Sequence, residues 1–329
     1  MKISVIIPTY NSEETIVPCL DSIYKTAHKD FEVVVVDDGS TDGTLRLLSQ
    51  YPCRVVRLEN NSGASVARNT GARNAAGELL YFVDSDIVQQ TDNLSLAQAI
   101  LAREPGVEIV CAAPRWEALN RGFGSEFMGL KYYYDYYLLL TRGIHRVESS
   151  WFQALGGFIP KKLFLECGGF DEAFHLGGEE YKFGQRLNSL GHKIHIFLDL
   201  EVSHYWWGIR ERIRLNYRRS QDWLPTLLAR KTFESSGGIA TGKNVVNTFI
   251  LTTAVFLSAL APFAQVSYLP AVLFLGYYIY NMGFYRYIYA KKHRPGFVLL
   301  AMAADVALYS AIGIGTAVGI FKLIFRPKA

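Results

Sequence analysis

Cysteine is scarce in this sequence, and its few residues are widely separated. No two of them form a Cys-x-x-Cys pair, which excludes a zinc knuckle and gives no indication of a disulfide scaffold. Scattered single cysteines are typical of a protein whose thiols stay reduced in the cytosol. They occupy positions Cys19, Cys53, Cys111 and Cys167.

The N-terminus lacks the long apolar run of a signal peptide. Its apolar segment starts at Ile3 and is broken by Pro8, so it is too short to direct secretion. We therefore expect the N-terminal part of the chain to stay in the cytosol.

A strong net charge is also absent, because the formal charge is only +4 at pH 7. The basic residues that do cluster lie beside the apolar stretches of the C-terminal region, at 210–219, 230–231 and 291–294. This position favours anionic lipid headgroups as the partner and argues against nucleic acid.

Charge becomes rare after Val245, where long apolar segments replace the mixed composition of the preceding chain. Three segments there each have the roughly 20 residues needed to cross a bilayer. They run at about 245–264, 268–290 and 297–325. The composition thus predicts three regions: a soluble α/β domain (1–205), basic amphipathic interface helices (206–243) and a transmembrane region (244–329).

The basic residues that flank the apolar segments predict the membrane topology. Lys291–Arg294 should be cytosolic by the positive-inside rule, which agrees with a cytosolic α/β domain followed by two spans. Lys322 and Arg326 also favour the cytosol, although a third complete crossing would export them. Glycines between 313 and 319 would let the last segment fold back as a hairpin, so both topologies stay open. Asp305 in this segment is expected to pair helices or to be functional.

Part of the predicted interface region has an amphipathic pattern. Ile209, Ile213 and Tyr217 fall on one side of a predicted helix, and arginines lie largely elsewhere. Such a helix, with tryptophans before it, is typical of a segment that lies in the membrane interface.

Leu79 to Val88 is the stretch around which the N-terminal domain can be interpreted. Its apolar residues end in Asp84-Ser85-Asp86, as in a buried parallel strand whose carboxyl end opens into a crevice. Asp84 and Asp86 are two residues apart, so in an extended chain they could hold one divalent cation against a diphosphate. An isolated Asp-x-Asp is equally the pattern of a turn or a helix cap, and the surrounding sequence has to decide.

Short apolar strands alternate with helices before this stretch. The predicted strands run at 3–7, 31–36 and 54–58, and helices are predicted at 44–50 and 63–76. A further helix is predicted to follow the first strand, with Glu13 and Glu14 in its first turn. The alternation predicts a parallel, doubly wound sheet, whose ligands bind where loops leave the carboxyl ends of the strands.

The motifs at these strand ends resemble those of family 2 glycosyltransferases, which have the GT-A fold. In family order they are Pro8-Thr9-Tyr10-Asn11, Val36-Asp37-Asp38-Gly39-Ser40, Ala67-Arg68-Asn69 and Val83-Asp84-Ser85-Asp86. The resemblance continues at Gly168–Glu172 and Gly178–Leu187, ends near His204, and covers about residues 1–205. It implies a Rossmann-like α/β domain with a mostly parallel sheet.

The resemblance also implies which residues bind a nucleotide sugar. Thr9 and Asp38 would contact a uracil-type base, Arg68 would lie beside base or phosphate, and Asp84 would approach the ribose. The implied donor site is completed by Pro8, Tyr10, Asn11 and Ser85. Gly156 and Gly157 lie where relatives accept the donor sugar, and their small size would let a hexose approach the backbone.

A divalent cation, Mn2+ or Mg2+, is a further implication of the resemblance. Asp86 would be a ligand of this cation. His204 follows the last strand of the domain, where the family often has a metal-binding histidine. The alternative for His204 is a packing role beside Trp206 and Trp207.

Glu179 and Glu180 are the candidates for a catalytic base. The family normally has Glu-Asp at this position, and its second acid deprotonates the acceptor. Here the second acid is Glu180, one methylene longer, so the assignment lies between Glu180, which we favour, and Glu179. Acids in the first turn of a helix are otherwise favoured simply by the helix dipole.

These observations predict a multi-pass protein of the inner or plasma membrane with a cytoplasmic catalytic domain. It would be an inverting glycosyltransferase that moves a sugar, most simply from a UDP-sugar, to a lipid or polyprenyl-linked acceptor. A processive polysaccharide synthase is an alternative, but only a fragment of its Gln-x-x-Arg-Trp motif is present, at 221–223. A non-catalytic nucleotide-binding membrane protein is another, against which the intact Asp84, Asp86 and Glu180 argue.

Overall fold

A computed structural model of the chain describes residues 1–173, 178–222, 242–260 and 268–325. The chain divides into two compact units. The first, called here the α/β unit, comprises Met1–Leu119 and Tyr136–Tyr205, and the second, the helical unit, comprises Asn120–Asp135 and Trp206–Ala329. The α/β unit ends at Tyr205, and residues 120–135 lie in the helical unit. The predicted division into a soluble domain, interface helices and a transmembrane region stays a prediction.

The α/β unit is built on a nine-stranded sheet among the described residues. Its strands are β1 (Ile3–Thr9), β2 (Phe31–Asp37), β3 (Arg54–Arg57), β4 (Leu79–Phe82), β5 (Ile87–Gln89), β6 (Ile109–Pro114), β7 (Arg146–Ser149), β8 (Gly157–Pro160) and β9 (Ile194–His204). They are arranged in the order β3-β2-β1-β4-β8-β6-β9-β5, and β7 pairs with β9.

The first half of this sheet is parallel, as predicted. β1 pairs in parallel with β2 and β4, and β2 pairs in parallel with β3. β1 and β4 are buried along their whole length, since parallel strands are covered on both faces. The second half is mixed: β6 and β9 are parallel, whereas β8 is antiparallel to β4 and β6, and β9 is antiparallel to β5 and β7.

Helices connect these strands. They are α1 (Ile16–Tyr24), α2 (Thr44–Leu48), α3 (Ala64–Asn74), α4 (Asn93–Arg103), α5 (Phe123–Leu140), α6 (Lys161–Glu166) and α7 (Glu179–Ser189). The first part of α5, up to Asp135, belongs to the helical unit. α1 begins at Ile16, after Glu13 and Glu14, so these acids precede the helix and do not lie in its first turn. The Glu13 carboxylate accepts a hydrogen bond from Gly43 N at 2.8 Å.

A cluster of buried phenylalanines packs α7 against the sheet. Phe183 of α7 contacts Phe152, Phe164 and Phe170, with ring centroids 5.1–5.5 Å apart. Phe82 at the end of β4 joins the same cluster through Phe164 and Phe170. Aromatic pairs at these distances contribute beyond simple burial, so the cluster fixes the start of α7 relative to the end of β4.

The helical unit contains the C-terminal helices. They are α8 (Ile209–Asp222), α9 (Gly242–Leu260), α10 (Leu269–Tyr280), α11 (Met282–Lys292) and α12 (Pro295–Ile324). Of these, α9 and α12 are long and apolar enough to cross a membrane. Half of the interface region predicted at 206–243, residues 223–241, lies outside the described residues.

Two of the three predicted apolar segments differ in detail from the prediction. The second segment is divided at Asn281, whose buried side chain donates to Asn247 Oδ1 and to Tyr277 O, both at 3.0 Å. The third segment is one continuous helix from Pro295 to Ile324, so within the described residues it does not adopt the hairpin that its glycines left open. Gly315 instead allows close packing, because a Cβ there would lie 2.4 Å from Tyr217 O of α8.

The buried face of α8 is polar, which corrects the predicted amphipathic pattern. Arg212, Asn216 and Ser220, spaced by one helical turn, are buried. Tyr217, which was expected on the apolar side, is 36% exposed. Ser220 Cβ would lie 3.1 Å from a Cβ on Gly315, so a small side chain suits this part of the contact with α12.

Asp305 pairs helices, in line with one of its two predicted roles. It is fully buried, and its Oδ1 accepts a hydrogen bond from Lys131 Nζ of α5 at 2.6 Å. Its Oδ2 accepts from Tyr285 OH at 2.7 Å and from Tyr277 OH at 3.1 Å. Both oxygens of the carboxylate are therefore satisfied, and three helices converge on it.

We predict that Asp305→Asn destabilises the helical unit by about 3–5 kcal/mol, because it leaves the largely buried Lys131 ammonium without a counter-charge. The double variant Lys131→Met/Asp305→Asn should recover much of this loss. Thermal or denaturant unfolding of the purified protein in one detergent measures both. Equal destabilisation in the single and double variants would contradict the role of the ion pair.

Candidate active site

The carboxyl ends of three neighbouring strands form one edge of the α/β unit. β1 lies between β2 and β4, and its register places Thr9 beside Asp37 and Ile6 beside Phe82. Asp84 follows β4 directly, after Val83. The strand pairing therefore brings together the residues that the sequence predicted at these ends, because parallel strands end on the same side of a sheet.

Asp38 anchors the loop that leads into α3. Its backbone N–H donates to Thr9 O at 2.8 Å, and its carboxylate accepts from Ser62 N at 2.7 Å and Gly63 N at 2.8 Å. The loop needs a glycine there, since Gly63 has a φ of 95°. The observed role of Asp38 is to order this loop, and its contact with a base stays a prediction.

The segment after β1 is held by short polar contacts. Asn11 has a positive φ of 48°, its N–H donates to Ser40 Oγ at 2.9 Å, and its Oδ1 accepts from Thr41 N at 2.8 Å. Ser85 Oγ lies 2.8 Å from Ser12 Oγ, a residue that the sequence did not single out. These contacts join the loops that follow β1, β2 and β4.

Three further members of the predicted donor site differ in exposure. Pro8 is buried within β1, whereas Tyr10 is 46% exposed beyond its end. Thr9 Oγ1 is buried and has no hydrogen-bond partner within the described part of the chain. A buried hydroxyl without a hydrogen-bond partner costs free energy, so Thr9 Oγ1 is suited to bind a polar group of a ligand.

Arg68 of α3 links Asp84, which follows β4, to Glu179 at the start of α7. Its Nη2 donates to Asp84 Oδ1 at 2.6 Å and its Nη1 to Glu179 Oε1 at 3.0 Å. Burial alone would lower the pKa of Arg68, but the neighbouring carboxylates raise it above its usual value. The guanidinium thus stays charged between two carboxylates, and its predicted contact with base or phosphate stays untested.

The two glutamates at the start of α7 have different surroundings. Glu179 is buried, and its Oε1 is used by Arg68. Glu180 is half-buried, and its Oε1 accepts a hydrogen bond from Ala154 N at 2.6 Å. Burial raises the pKa of Glu180 to about 7, assisted by the charges of Glu179 and Asp84 and opposed by Arg68. Glu180 is therefore the better candidate for a group that exchanges a proton near neutral pH.

The loop at 150–154 holds Glu180 through its backbone. Phe152 N donates to Glu180 O at 3.3 Å, and Gln185 Nε2 donates to Ser150 O at 2.9 Å. Gly184 permits this close contact, because a Cβ there would lie 2.4 Å from Trp151 Cα. The sequence did not predict this contact between the loop and Glu180 because backbone donors leave no motif, although a glycine inside a helix was a usable signal.

Asp86 and His204 are brought together by the sheet. β5 pairs antiparallel with β9, which places Ile87 opposite His204, and Tyr205 N donates to Asp86 O at 3.0 Å. His204 Nε2 lies 3.7 Å from Asp86 Oδ1. Burial raises the pKa of Asp86, His204 lowers it and Asp84 raises it further.

This pair fits a divalent cation whose remaining ligands come from a substrate. Within the described residues there is no group of three or more His, Cys, Asp or Glu side chains that could hold a metal alone. Mg2+ sites in nucleotide enzymes often use one or two protein ligands together with phosphate oxygens. The carboxylate of Asp86 matches that requirement, and the imidazole of His204 would add a nitrogen ligand beside it.

Gly156 and Gly157 are explained by packing inside the protein. A Cβ on Gly156 would lie 2.7 Å from the Ala112 Cβ, and one on Gly157 would lie 2.5 Å from the Phe152 ring. The space beside each glycine is thus occupied by neighbouring residues. The predicted approach of a sugar to these glycines stays a prediction.

The sequence is similar to those of known glycosyltransferases. The sequence model described as glycosyl transferase family 2 matches residues 4–152. A Haemophilus influenzae protein named uncharacterized glycosyltransferase is 28% identical over 55% of this chain and 60% of its own length. Validoxylamine A glucosyltransferase of Streptomyces hygroscopicus is 32% identical over 63% of this chain and 51% of its own length. The chain therefore spans less than two thirds of the length of these relatives.

The fold is also found in a solved structure. The mannosyltransferase PcManGT of Pyrobaculum calidifontis, in complex with GDP-Man and Mn2+, is 19% identical and has a TM-score of 0.53. The match covers 99% of this chain and 88% of the mannosyltransferase. The predicted GT-A fold and the resemblance to family 2 are both confirmed.

Proposed function

We propose that this chain, whose residues 4–152 belong to glycosyl transferase family 2, is an inverting transferase that moves a sugar from a nucleotide sugar to a lipid or polyprenyl-linked acceptor. The observation on which this rests is Glu180, with a pKa of about 7, beside the Arg68–Asp84 ion pair at the strand ends. A base, a fixed cation and a set of polar strand ends are the groups that sugar transfer requires.

Glu180 acts as the base in this proposal. Its deprotonated carboxylate accepts the proton of the acceptor hydroxyl. The hydroxyl oxygen then forms a bond to the anomeric carbon of the sugar as the bond from this carbon to the diphosphate breaks. Ala154 N–H keeps the carboxylate oriented, and Arg68 holds Asp84 and Glu179 in place. Attack from the face opposite the leaving group inverts the anomeric centre.

Asp86 and His204 would hold Mn2+ or Mg2+ in this site. A bound divalent cation supplies positive charge against the charge that develops on the leaving diphosphate. The mannosyltransferase of the same fold contains Mn2+ and GDP-Man, which supports a nucleotide sugar as the donor class. The choice of a UDP-sugar rests on the family motifs, with Thr9 and Asp38 at the base.

The membrane part of the proposal rests on α9 and α12. Their length and apolar composition suit a protein anchored in the inner or plasma membrane with a cytoplasmic α/β unit. The same helices would keep the catalytic unit close to an acceptor that is itself held in the bilayer.

A screen of nucleotide sugars with purified full-length protein tests the proposed function. We expect release of nucleoside diphosphate from one donor, dependent on Mn2+ or Mg2+ and increased by a lipid extract. Addition of a single sugar to the lipid would favour this function over a processive synthase. Binding of a nucleotide without any transfer or hydrolysis would overturn it.

The pH dependence of transfer gives an independent prediction. Because Glu180 must be deprotonated to act and its pKa is about 7, kcat should be half of its plateau value near pH 7, become level above about pH 8 and fall below pH 7. At pH 5.5 the rate should be about 30-fold below the plateau, since only about 3% of such a group is ionised there. Initial rates at saturating donor and acceptor measure this. A level profile down to pH 5 would contradict the role of Glu180.

A further inference from the structure

Arg212 is a buried cation for which the proposed transfer reaction has no use. It lies in the first turn of α8 and is only 6% exposed. Its Nε is buried without a hydrogen-bond partner, and no carboxylate forms an ion pair with it within the described part of the chain. Buried charges in proteins are normally paired, because an unpaired one costs a large desolvation free energy.

Two aromatic rings lie against the Arg212 guanidinium. Its central carbon is 5.7 Å from the Tyr132 ring centroid and 5.6 Å from the Trp206 ring centroid. The two rings stack on each other, with centroids 4.6 Å apart. Cation–π contacts stabilise the charge and fix the plane of the guanidinium, but they leave its N–H donors in that plane unused.

The electrostatic surroundings increase the need for a counter-ion. An arginine in the first turn is next to the positive end of the helix dipole, where anions are favoured and cations are not. Arg210 and Arg218 on the same helix are exposed and add positive charge. The acid in this turn, Glu211, is also exposed and forms no ion pair with Arg212. The missing partner of Arg212 is thus an anion from outside the described chain.

We propose that Arg212, held between Tyr132 and Trp206, is a binding site for the phosphate group of a lipid. A guanidinium offers parallel N–H donors that match the oxygens of a phosphate group. A lipid is the expected carrier because α8 packs on α12, which is long and apolar enough to span a membrane. Trp207, next to Trp206, is 60% exposed, as is common for tryptophan at a membrane interface.

The phosphate has two possible sources, a phospholipid headgroup or the phosphate of a lipid-linked acceptor. The second source rests on the proposed function. Binding is therefore measured without any nucleotide sugar, so that failure of this inference is distinct from failure of transfer. Release of nucleotide from the donor is assayed separately on the same variants.

The test compares two arginines of α8. Arg212→Met removes the buried charge and keeps an apolar stem, and Arg214→Met is the control, since Arg214 is exposed and lies two residues further around the helix. The full-length protein in detergent is titrated with farnesyl phosphate. It is also mixed with phosphatidylcholine vesicles with or without phosphatidylglycerol.

Arg212→Met should weaken binding of at least one phosphate probe by about 10- to 100-fold, and Arg214→Met should change it by less than about fivefold. Loss limited to farnesyl phosphate identifies a lipid-linked acceptor as the source, and loss limited to the anionic vesicles identifies a phospholipid headgroup. Equal losses in both variants would show general attraction to a basic surface and overturn the site. Unchanged binding in Arg212→Met would overturn it as well.

Thermal unfolding provides a control for misfolding of the Arg212→Met variant. Sodium phosphate should raise the Tm of the wild-type protein relative to sodium chloride of equal ionic strength, and it should not raise that of Arg212→Met. Without phosphate, Arg212→Met should be at least as stable as the wild type, because an unpaired buried cation has been removed. A lower Tm of this variant together with retained phosphate binding would make Arg212 a purely structural residue and overturn the proposal.

Discussion

Glu180→Gln is expected to lower kcat by about 10²- to 10⁴-fold, the usual effect of removing a general base. The glutamine keeps the size of the side chain and can still accept the hydrogen bond from Ala154 N. Donor affinity should hardly change, because the proposed base, ribose and diphosphate contacts involve other residues. Initial rates together with a donor titration measure the two quantities separately.

Glu179→Gln is the matched control for this experiment. It makes the same chemical change one residue away, but Glu179 is buried against Arg68 and its proposed role is to hold that residue. We expect a smaller loss of rate than for Glu180→Gln. An inactive Glu179→Gln beside an active Glu180→Gln would reverse the assignment. Near-normal rates in both would indicate a phosphate acceptor that needs no base.

Asp86→Ala is expected to reduce metal-dependent transfer by more than about 10³-fold, since a catalytic cation contributes several kcal/mol to the transition state. The fold should survive, because Asp86 contributes to the β5–β9 pairing through its backbone carbonyl, which the variant keeps. Nucleotide release in the presence of Mn2+ measures the effect, and the circular dichroism spectrum controls for folding.

Chelation provides the comparison for Asp86→Ala. Wild-type protein in EDTA should be as inactive as the variant, and added Mn2+ should restore the wild type alone. Full activity of the wild type in EDTA would contradict the proposed cation. His204→Ala should weaken the dependence on Mn2+ in the same direction, because the imidazole lies 3.7 Å from Asp86 Oδ1.

Local pattern alone determined the first half of the fold. Short β-branched runs such as Val33–Val36 can be recognised because a strand buried on both faces reads as a continuous apolar segment. The polar groups at Thr9, Asp38 and Asp84 could be placed at one edge for the same reason, since parallel strands end together. The family motifs then supplied roles that spacing by itself does not contain.

The antiparallel part of the sheet could not be predicted from local sequence patterns. Pairing of β5 with β9 brings His204 to Asp86, and this depends on strand order rather than on any local pattern. The ion pairs of Arg68 with Asp84 and Glu179 likewise join residues from three distant segments. A sequence contains no periodic signal for contacts of this kind.

Glycines and helix faces can be identified in the sequence, but their role depends on the tertiary structure. Gly156 and Gly157 could be recognised as places of close approach and Gly315 as a place where the chain could bend, but only the structure decided which atoms lie next to each one. Spacing predicted the apolar side of α8, but it did not show that this helix buries Arg212, Asn216 and Ser220 on another side.

The sequence by itself determined the α/β class of the N-terminal part, its family motifs and the apolar character of the C-terminal helices, since these follow from local composition and periodicity. Only the tertiary structure decided which glutamate is poised near neutral pH, because the pKa of Glu180 depends on burial and on charges from distant segments. It also decided that residues 120–135 belong with the C-terminal helices, where Lys131 meets the buried charge of Asp305.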